Sequence, residues 1–349
     1  MLRASSVRLP ARSRSPSSLL TRSRTSRPVA AATMSTELVS ENKSFGGSNR
    51  RYRHRSDVLG CDMTFTVFFP PQALEASTPP ASIPVLYYLS GLTCTDENAV
   101  QKSGAQRAAA RLGLALVFPD TSPRPSEGPA SFPPEAAASG WDFGFGAGHY
   151  LDATKPGWEY WRMETYVMEE LPKVLAALPA AGKDGDNTTS HASLDLSRVG
   201  ITGHSMGGLG ALKLALLHPS AFKSVSAFAP ICAPTRVPWG LKAFAGYFGD
   251  ADADRLGKQH DPCELVRGFA WGTGGAEPPA PLIDTGTSDA FLEKQLLPEE
   301  LQRAVDETEG CGWKGKMVMR MQPGYDHSYF FIASFVDDHI EHHAKALLG

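Results

Sequence analysis

Val199-Gly200-Ile201-Thr202-Gly203-His204-Ser205-Met206-Gly207-Gly208-Leu209-Gly210-Ala211-Leu212-Lys213-Leu214-Ala215 decides the fold of this chain. The first four residues read as a short apolar strand, and Gly208 onward reads as a helix of small residues. Between them Gly203-His204-Ser205-Met206-Gly207 matches G-x-S-x-G, the pattern of a serine held at a sharp strand-to-helix turn. The spacing has a physical cause. A turn that lifts one side chain clear of the sheet brings its neighbours two residues away against other backbone, where a Cβ has no room. The pentapeptide is a weak signal alone; its strand and helix flanks are the context it requires.

The same alternation extends outward. Met63–Pro70 and Ile83–Leu89 read as strands, Gln101–Leu112 as a helix, and Gly113–Pro119 as the next strand. Asp120–Ser139 reads as a long Pro- and Ser-rich loop, Tyr160–Leu178 as a helix containing Pro172, and Ser224–Ala229 as a strand. Strand Ala280–Asp284, helices Ala290–Leu297 and Pro298–Thr308, strand Lys316–Gln322 and helix Ser328–Leu348 complete the chain. Strand–helix–strand repetition predicts one doubly wound, mostly parallel sheet with helices on both faces, the α/β-hydrolase arrangement when it carries such a serine turn.

A serine hydroxyl needs a base and a group to orient that base. On this arrangement the chain order is serine, acid, histidine. His327 follows the last strand by the short loop Pro323-Gly324-Tyr325-Asp326, where the base belongs. Asp284 ends a strand and Asp289 closes the loop after it; spacing leaves both open as the acid. Two backbone N–H groups must meet the developing oxyanion. Met206, next to the nucleophile, is one candidate, and Leu92, in Ser90-Gly91-Leu92-Thr93 after an early strand, is the other. Cys94 lies two residues further on.

Composition narrows the function classes. The 349 residues hold 42% hydrophobic and 20% charged side chains, as a globular protein does, and no apolar run is long enough to span a bilayer. Residues 1–33 contain seven arginines and no acidic residue, with abundant serine, the composition of an organelle transit peptide. Without them Lys+Arg falls from 34 to 27 against 37 Asp+Glu, and a body of charge −10 argues against nucleic acid as partner. We therefore expect a disordered extension over residues 1–39 and one catalytic domain over 40–349, in the cytoplasm, or in the chloroplast or mitochondrion if the extension acts as an address. Five scattered cysteines without C-x-x-C spacing point to neither zinc nor a disulfide framework. His339-Ile340-Glu341-His342-His343 is not H-E-x-x-H, so no metal is expected there and a solvated helix face is. No cofactor is expected.

Further segments carry a resemblance. Tyr88-Leu89-Ser90-Gly91-Leu92-Thr93-Cys94-Thr95, Trp141-Asp142-Phe143-Gly144, Gly146-Ala147-Gly148 through Asp152-Ala153-Thr154, the serine turn, Ser224 to Cys232, Pro238-Trp239-Gly240 and Gly324-Tyr325-Asp326-His327-Ser328-Tyr329 together resemble the S-formylglutathione hydrolase (esterase D) family, from about Ser40 to the C-terminus. The resemblance implies a homodimeric, cofactor-free hydrolase of a small-molecule thioester, with Ser205, Asp289 and His327 as triad and Leu92 and Met206 as oxyanion donors. It makes Cys94, Trp141, His149 and His204 candidate substrate contacts. The chain departs from the family at Leu209, often histidine, at His149, usually an aromatic, and by insertions near Ser126–Ser139 and Lys183–Ser193. The rival expectations are a broad carboxylesterase or acyltransferase on the same fold and, against the intact set of three residues, a non-enzymatic binding protein.

Overall fold

The computed structural model describes residues 35–74, 82–124, 132–178 and 192–349. Residues 1–34 of the extension expected over 1–39, and residues 126–131 and 183–191 of the two insertions, lie outside them. Nine strands form the sheet of the described residues: β1 Thr36–Ser44, β2 Gly47–Arg55, β3 Asp62–Phe69, β4 Ser82–Leu89, β5 Ala115–Pro119, β6 Ser193–Gly203, β7 Ser224–Phe228, β8 Leu282–Gly286 and β9 Val318–Gln322. Their order is β1-β2-β3-β5-β4-β6-β7-β8-β9. The first three pairings in this order are antiparallel and the remaining five parallel. The expected mostly parallel α/β sheet is present, in the α/β-hydrolase fold. β5, β7 and β8 are buried along their whole length and β4 nearly so, as strands covered on both faces must be.

The β1–β2 hairpin was not legible. β1 begins at Thr36, so the boundary expected between residues 39 and 40 falls inside a strand; its sequence TELVSENKS is polar and exposed and carries no core signal. The arginine-rich stretch after it is structural. Arg50 pairs with Glu41 (3.0 Å), Arg53 with Glu37 (2.7 Å), Arg55 with Asp62 (3.5 Å) and Arg51 with Asp96 (2.8 Å). The helix expected over Gln101–Leu112 is two, Asp96–Lys102 and Ala105–Leu112, because Gly104 at φ 73° leaves the helical region between them. The helix expected over Tyr160–Leu178 runs from Met163 to Ala176 with a π turn at Tyr166–Glu170, and Pro172, which has no N–H to donate, falls in the first turn after it.

The helix Tyr329–Leu348 corrects the expectation of a solvated histidine face. His339 and His343 are fully buried against the sheet. His339 stacks 3.7 Å from Phe228 and hydrogen-bonds Asp284 at 3.1 Å, while His343 bridges Ser224 (2.7 Å) and Ser226 (2.8 Å). Serines on β7 supply partners that make buried histidines tolerable. A second, smaller core forms where Phe143, Leu151, Trp158 and Trp161 pack on Phe244, Tyr247 and Phe248 of the helix Pro238–Phe248. No helix among the described residues is long and apolar enough to cross a membrane.

The sheet order reverses at β4, which sits between β5 and β6. At such a switch point the loops leaving the carboxyl ends of neighbouring strands diverge and open a crevice. Here those ends are Leu89 and Gly203, paired in register.

Candidate active site

Ser205 stands at the end of β6 with φ 58° and ψ −117°, a conformation held by its surroundings. Its N–H donates to Phe228 O at 2.9 Å, and the N–H of His204 donates to Leu89 O at 3.0 Å, so the turn is pinned to both neighbouring strands. The need for glycine on either side is visible. A Cβ on Gly203 would lie 2.2 Å from Gly207 O, and one on Gly207 would lie 2.0 Å from Leu89 O.

His327 hangs from the loop after β9. Asp326 accepts from the N–H of Ser328 at 3.0 Å, and Ser328 caps the final helix through the N–H of Phe330 at 3.2 Å. The loop after β8 meets it: Ser288 N–H donates to Tyr325 O at 2.9 Å. Through this crossing His327 Nδ1–H reaches Asp289 Oδ2 at 2.5 Å, and the other Asp289 oxygen accepts from Phe291 N–H at 2.8 Å. The Asp289 side chain is fully buried, and that of His327 is partly buried, 16% exposed. This arrangement fixes the imidazole with Nδ1 protonated and Nε2 free to accept. Ser205 and His327 are not hydrogen-bonded to each other among the described residues, as is common before a substrate tightens a site. They share the cleft through His204, whose ring lies 4.4 Å from that of His327.

The structure separates the two candidate acids. Asp284 points away from this cleft, clamped by Arg320 (2.6 and 2.5 Å), Gln322 (3.0 Å) and His339. Burial opposes its charge, but the Arg320 guanidinium, with His339 and Gln322, overrides it and brings the carboxyl down to about 2.

The loop after β4 passes over the nucleophile. A Cβ on Gly91 would lie 3.2 Å from Ser205 Cβ. Thr93, at φ 68°, donates its N–H to Gly146 O (2.8 Å), and Cys94 donates to Gly91 O (3.3 Å). Tyr150 hydroxyl donates to Ser90 O at 2.8 Å. Asp96, fully buried at the start of the next helix, receives Arg51, Thr64 and Thr66. Among the described residues the N–H groups of Leu92 and Met206 have no protein acceptor, so both remain available to a ligand.

The four candidate substrate contacts occupy different settings. Cys94 is buried, its Sγ 3.9 Å from the Tyr329 hydroxyl, and burial pushes its thiol above the ordinary value. Trp141 is 54% exposed and meets Trp239 edge-on at 5.5 Å. His204 is buried against His327; burial, then the neighbouring imidazole, holds it neutral. His149 is 1% exposed at φ 48°, with no hydrogen-bond partner on either ring nitrogen among the described residues, and burial takes it down to about 4. Its own N–H touches Met206 Sδ at 3.3 Å. Sequence reasoning missed Phe291, whose ring edge packs on His327 at 5.0 Å, and Tyr329 as a neighbour of His204. Trp239 links the groups, 4.8 Å from Phe291, so an aromatic run leads from the surface at Trp141 to the base.

Residues 56–342 match the family model described as "Putative esterase". The chain is 45% identical over 309 residues to an S-formylglutathione hydrolase of Arabidopsis thaliana, covering 88% of this chain and 97% of that one. It is 46% identical over 316 residues to the S-formylglutathione hydrolase of Paracoccus denitrificans, covering 90% and 99%. The solved S-formylglutathione hydrolase from Agrobacterium tumefaciens superposes with a TM-score of 0.74 at 41% identity, covering 89% of this chain and 99% of that one. A serine turn at the sheet's switch point, its His204 ring packed on a hydrogen-bonded aspartate–histidine pair, thus sits in a chain that belongs to the S-formylglutathione hydrolase family of esterases.

Proposed function

We propose that this protein hydrolyses S-formylglutathione to glutathione and formate through an acyl intermediate on Ser205. The observation that carries the reading is the 2.5 Å bond from His327 to buried Asp289 in the cleft of Ser205, in a chain this similar to hydrolases of that thioester. Ser205 Oγ attacks the formyl carbonyl as His327 Nε2 takes its proton. Asp289 holds the tautomer and offsets the imidazolium charge, and the Leu92 and Met206 N–H groups receive the oxyanion. The C–S bond breaks as His327 returns that proton to the departing sulfur, so the peptide leaves as its thiol, aided by a thiol pKa of about 8.5. Water then attacks the formyl ester as His327 takes its proton; the bond from the formyl carbon to Ser205 Oγ breaks, His327 returns the proton to Oγ, and formate leaves Ser205 free.

A small acyl group offers little for a pocket to grip, and discrimination runs at about 1–3 kcal/mol per methylene. Short acyl esters therefore react as well, more slowly. Assembly as a homodimer and an organelle address in residues 1–33 belong to the same proposal, resting on the family resemblance and on composition.

The test is steady-state hydrolysis of S-formylglutathione beside 4-nitrophenyl acetate, with Ser205→Ala as control. Efficient thioester turnover, abolished in the variant, is the expected result. Turnover of the acetate alone would keep Ser205 as nucleophile and leave a general esterase.

A further inference from the structure

The triad and oxyanion donors account for the formyl group but not for its carrier. Glutathione is a peptide thiol with two carboxylates and one ammonium, and a site that prefers it needs a cation at the right lip of the cleft. Lys102 is connected to His327 through the rings of Tyr329 and His204. It ends the helix Asp96–Lys102, which starts two residues after Cys94. Its Nζ lies 5.8 Å from the centre of the Tyr329 ring. The Tyr329 hydroxyl is 3.9 Å from Cys94 Sγ, and its ring is 6.0 Å from that of His204, which packs on His327. The ammonium is close enough to Cys94 for its charge to act on the buried thiol.

Lys102 is exposed and, among the described residues, makes no ion pair. Its surroundings make this notable. Arg51, on β2, and Arg107 and Arg111, on the helix Ala105–Leu112, each hold a carboxylate of the chain. Arg51 also takes Glu97, an acid of the Lys102 helix. The aromatic face beneath Lys102 steadies the ammonium without neutralising it, since a ring attracts a cation but carries no net charge. Phe330, the residue after Tyr329, is 85% exposed and adds apolar surface to this end of the last helix.

We propose that Lys102 binds a carboxylate of the glutathionyl moiety and is a specificity residue of the cleft; this rests on the S-formylglutathione reading above. Its contribution is to binding of the carrier, not to the chemical step, because the carboxylates are unchanged when the C–S bond breaks. Loss of uniform binding raises KM and leaves kcat in place.

The experiment measures kcat and KM of the full chain and of Lys102→Met, Lys102→Glu and Lys102→Arg. The substrates are S-formylglutathione, its dimethyl ester and 4-nitrophenyl acetate. For an exposed ion pair we expect KM for S-formylglutathione to rise about 3- to 5-fold in Lys102→Met. The rise is larger in Lys102→Glu, Lys102→Arg restores the original value, and added salt narrows every difference. The dimethyl ester, without carboxylates, shows no such dependence on residue 102. An unchanged KM for S-formylglutathione in Lys102→Met, or an equal rise for the dimethyl ester, overturns the assignment while the substrate reading stands. If the unaltered protein hydrolyses the acetate but not S-formylglutathione, the substrate reading falls and the assignment falls with it.

Discussion

Replacing Asp289 by Asn, beside the matching change at Asp284, separates catalysis from stability in one experiment. Asp289 accepts two hydrogen bonds, from His327 Nδ1 at 2.5 Å and from Phe291 N–H at 2.8 Å. An amide keeps its oxygen on the fixed backbone N–H of Phe291 and turns its NH2 toward Nδ1. The imidazole must then carry its proton on Nε2, where it can no longer take one from Ser205. The corresponding change in a serine protease lowers kcat about 10⁴-fold, and we expect a loss of about 10³- to 10⁴-fold, or roughly 4–5.5 kcal/mol at 1.36 kcal/mol per decade. Folding should be little affected, since size and both hydrogen bonds persist, the one to Nδ1 with its direction reversed. Asp284→Asn does the reverse. It strips the charge that Arg320 and His339 both use and leaves a partly buried guanidinium short of its partner. Breaking a fully buried pair costs about 3–5 kcal/mol; with Arg320 about a third exposed, about 2–3 kcal/mol is the expectation after allowing for solvent screening. Steady-state kcat on S-formylglutathione and a thermal melt read the two effects. Asp289→Asn retaining a tenth of the activity, or Asp284→Asn losing as much activity with an unshifted melt, would refute the assignment of the acid.

Three further outcomes are expected. His149 is neutral when folded, with its pKa taken from the ordinary 6.5 down to about 4 by burial. Its stabilising effect is therefore complete above pH 6.5 and is lost as pH falls toward 4; His149→Phe should gain over the unaltered protein by about 2 kcal/mol at pH 5 compared with pH 7, read as a widening difference in Tm, and a constant difference would contradict the buried neutral state. At Ser205, both Gly and Ala should abolish turnover, but Gly should be the more stable by about 1 kcal/mol because φ 58° strains any Cβ; equal melts would mean that the turn relaxes without its hydroxyl. Gly207→Ala would drive a Cβ to 2.0 Å from Leu89 O and 2.7 Å from Ser90 O, so kcat should fall at least 100-fold through displacement of the oxyanion loop, and near-normal turnover would show that the loop yields.

The residues with local signatures were readable in the chain. The serine turn, its flanking strand and helix, His327 beyond the last strand and the loop bearing Leu92 all follow from short-range sterics and from the order in which a parallel sheet is threaded. The chemistry of the elbow is written in Gly203 and Gly207 because each is squeezed by backbone a few residues or one strand away. What tertiary structure decided depends on groups distant in sequence. Asp284 and Asp289 are alike in spacing, and only the pairing of β8 with β9 places Arg320 beside the first and the loop of His327 beside the second. The buried histidines of the last helix looked solvated because their partners, Ser224, Ser226 and Asp284, lie on strands more than fifty residues earlier. β1 was invisible because an edge strand is held by backbone hydrogen bonds and cross-strand ion pairs, which leave no hydrophobic period in the sequence. The same holds for the cleft's lip. That Lys102 faces Tyr329 across more than two hundred residues is a fact of packing, and packing alone turns an ordinary surface lysine into a candidate for recognition.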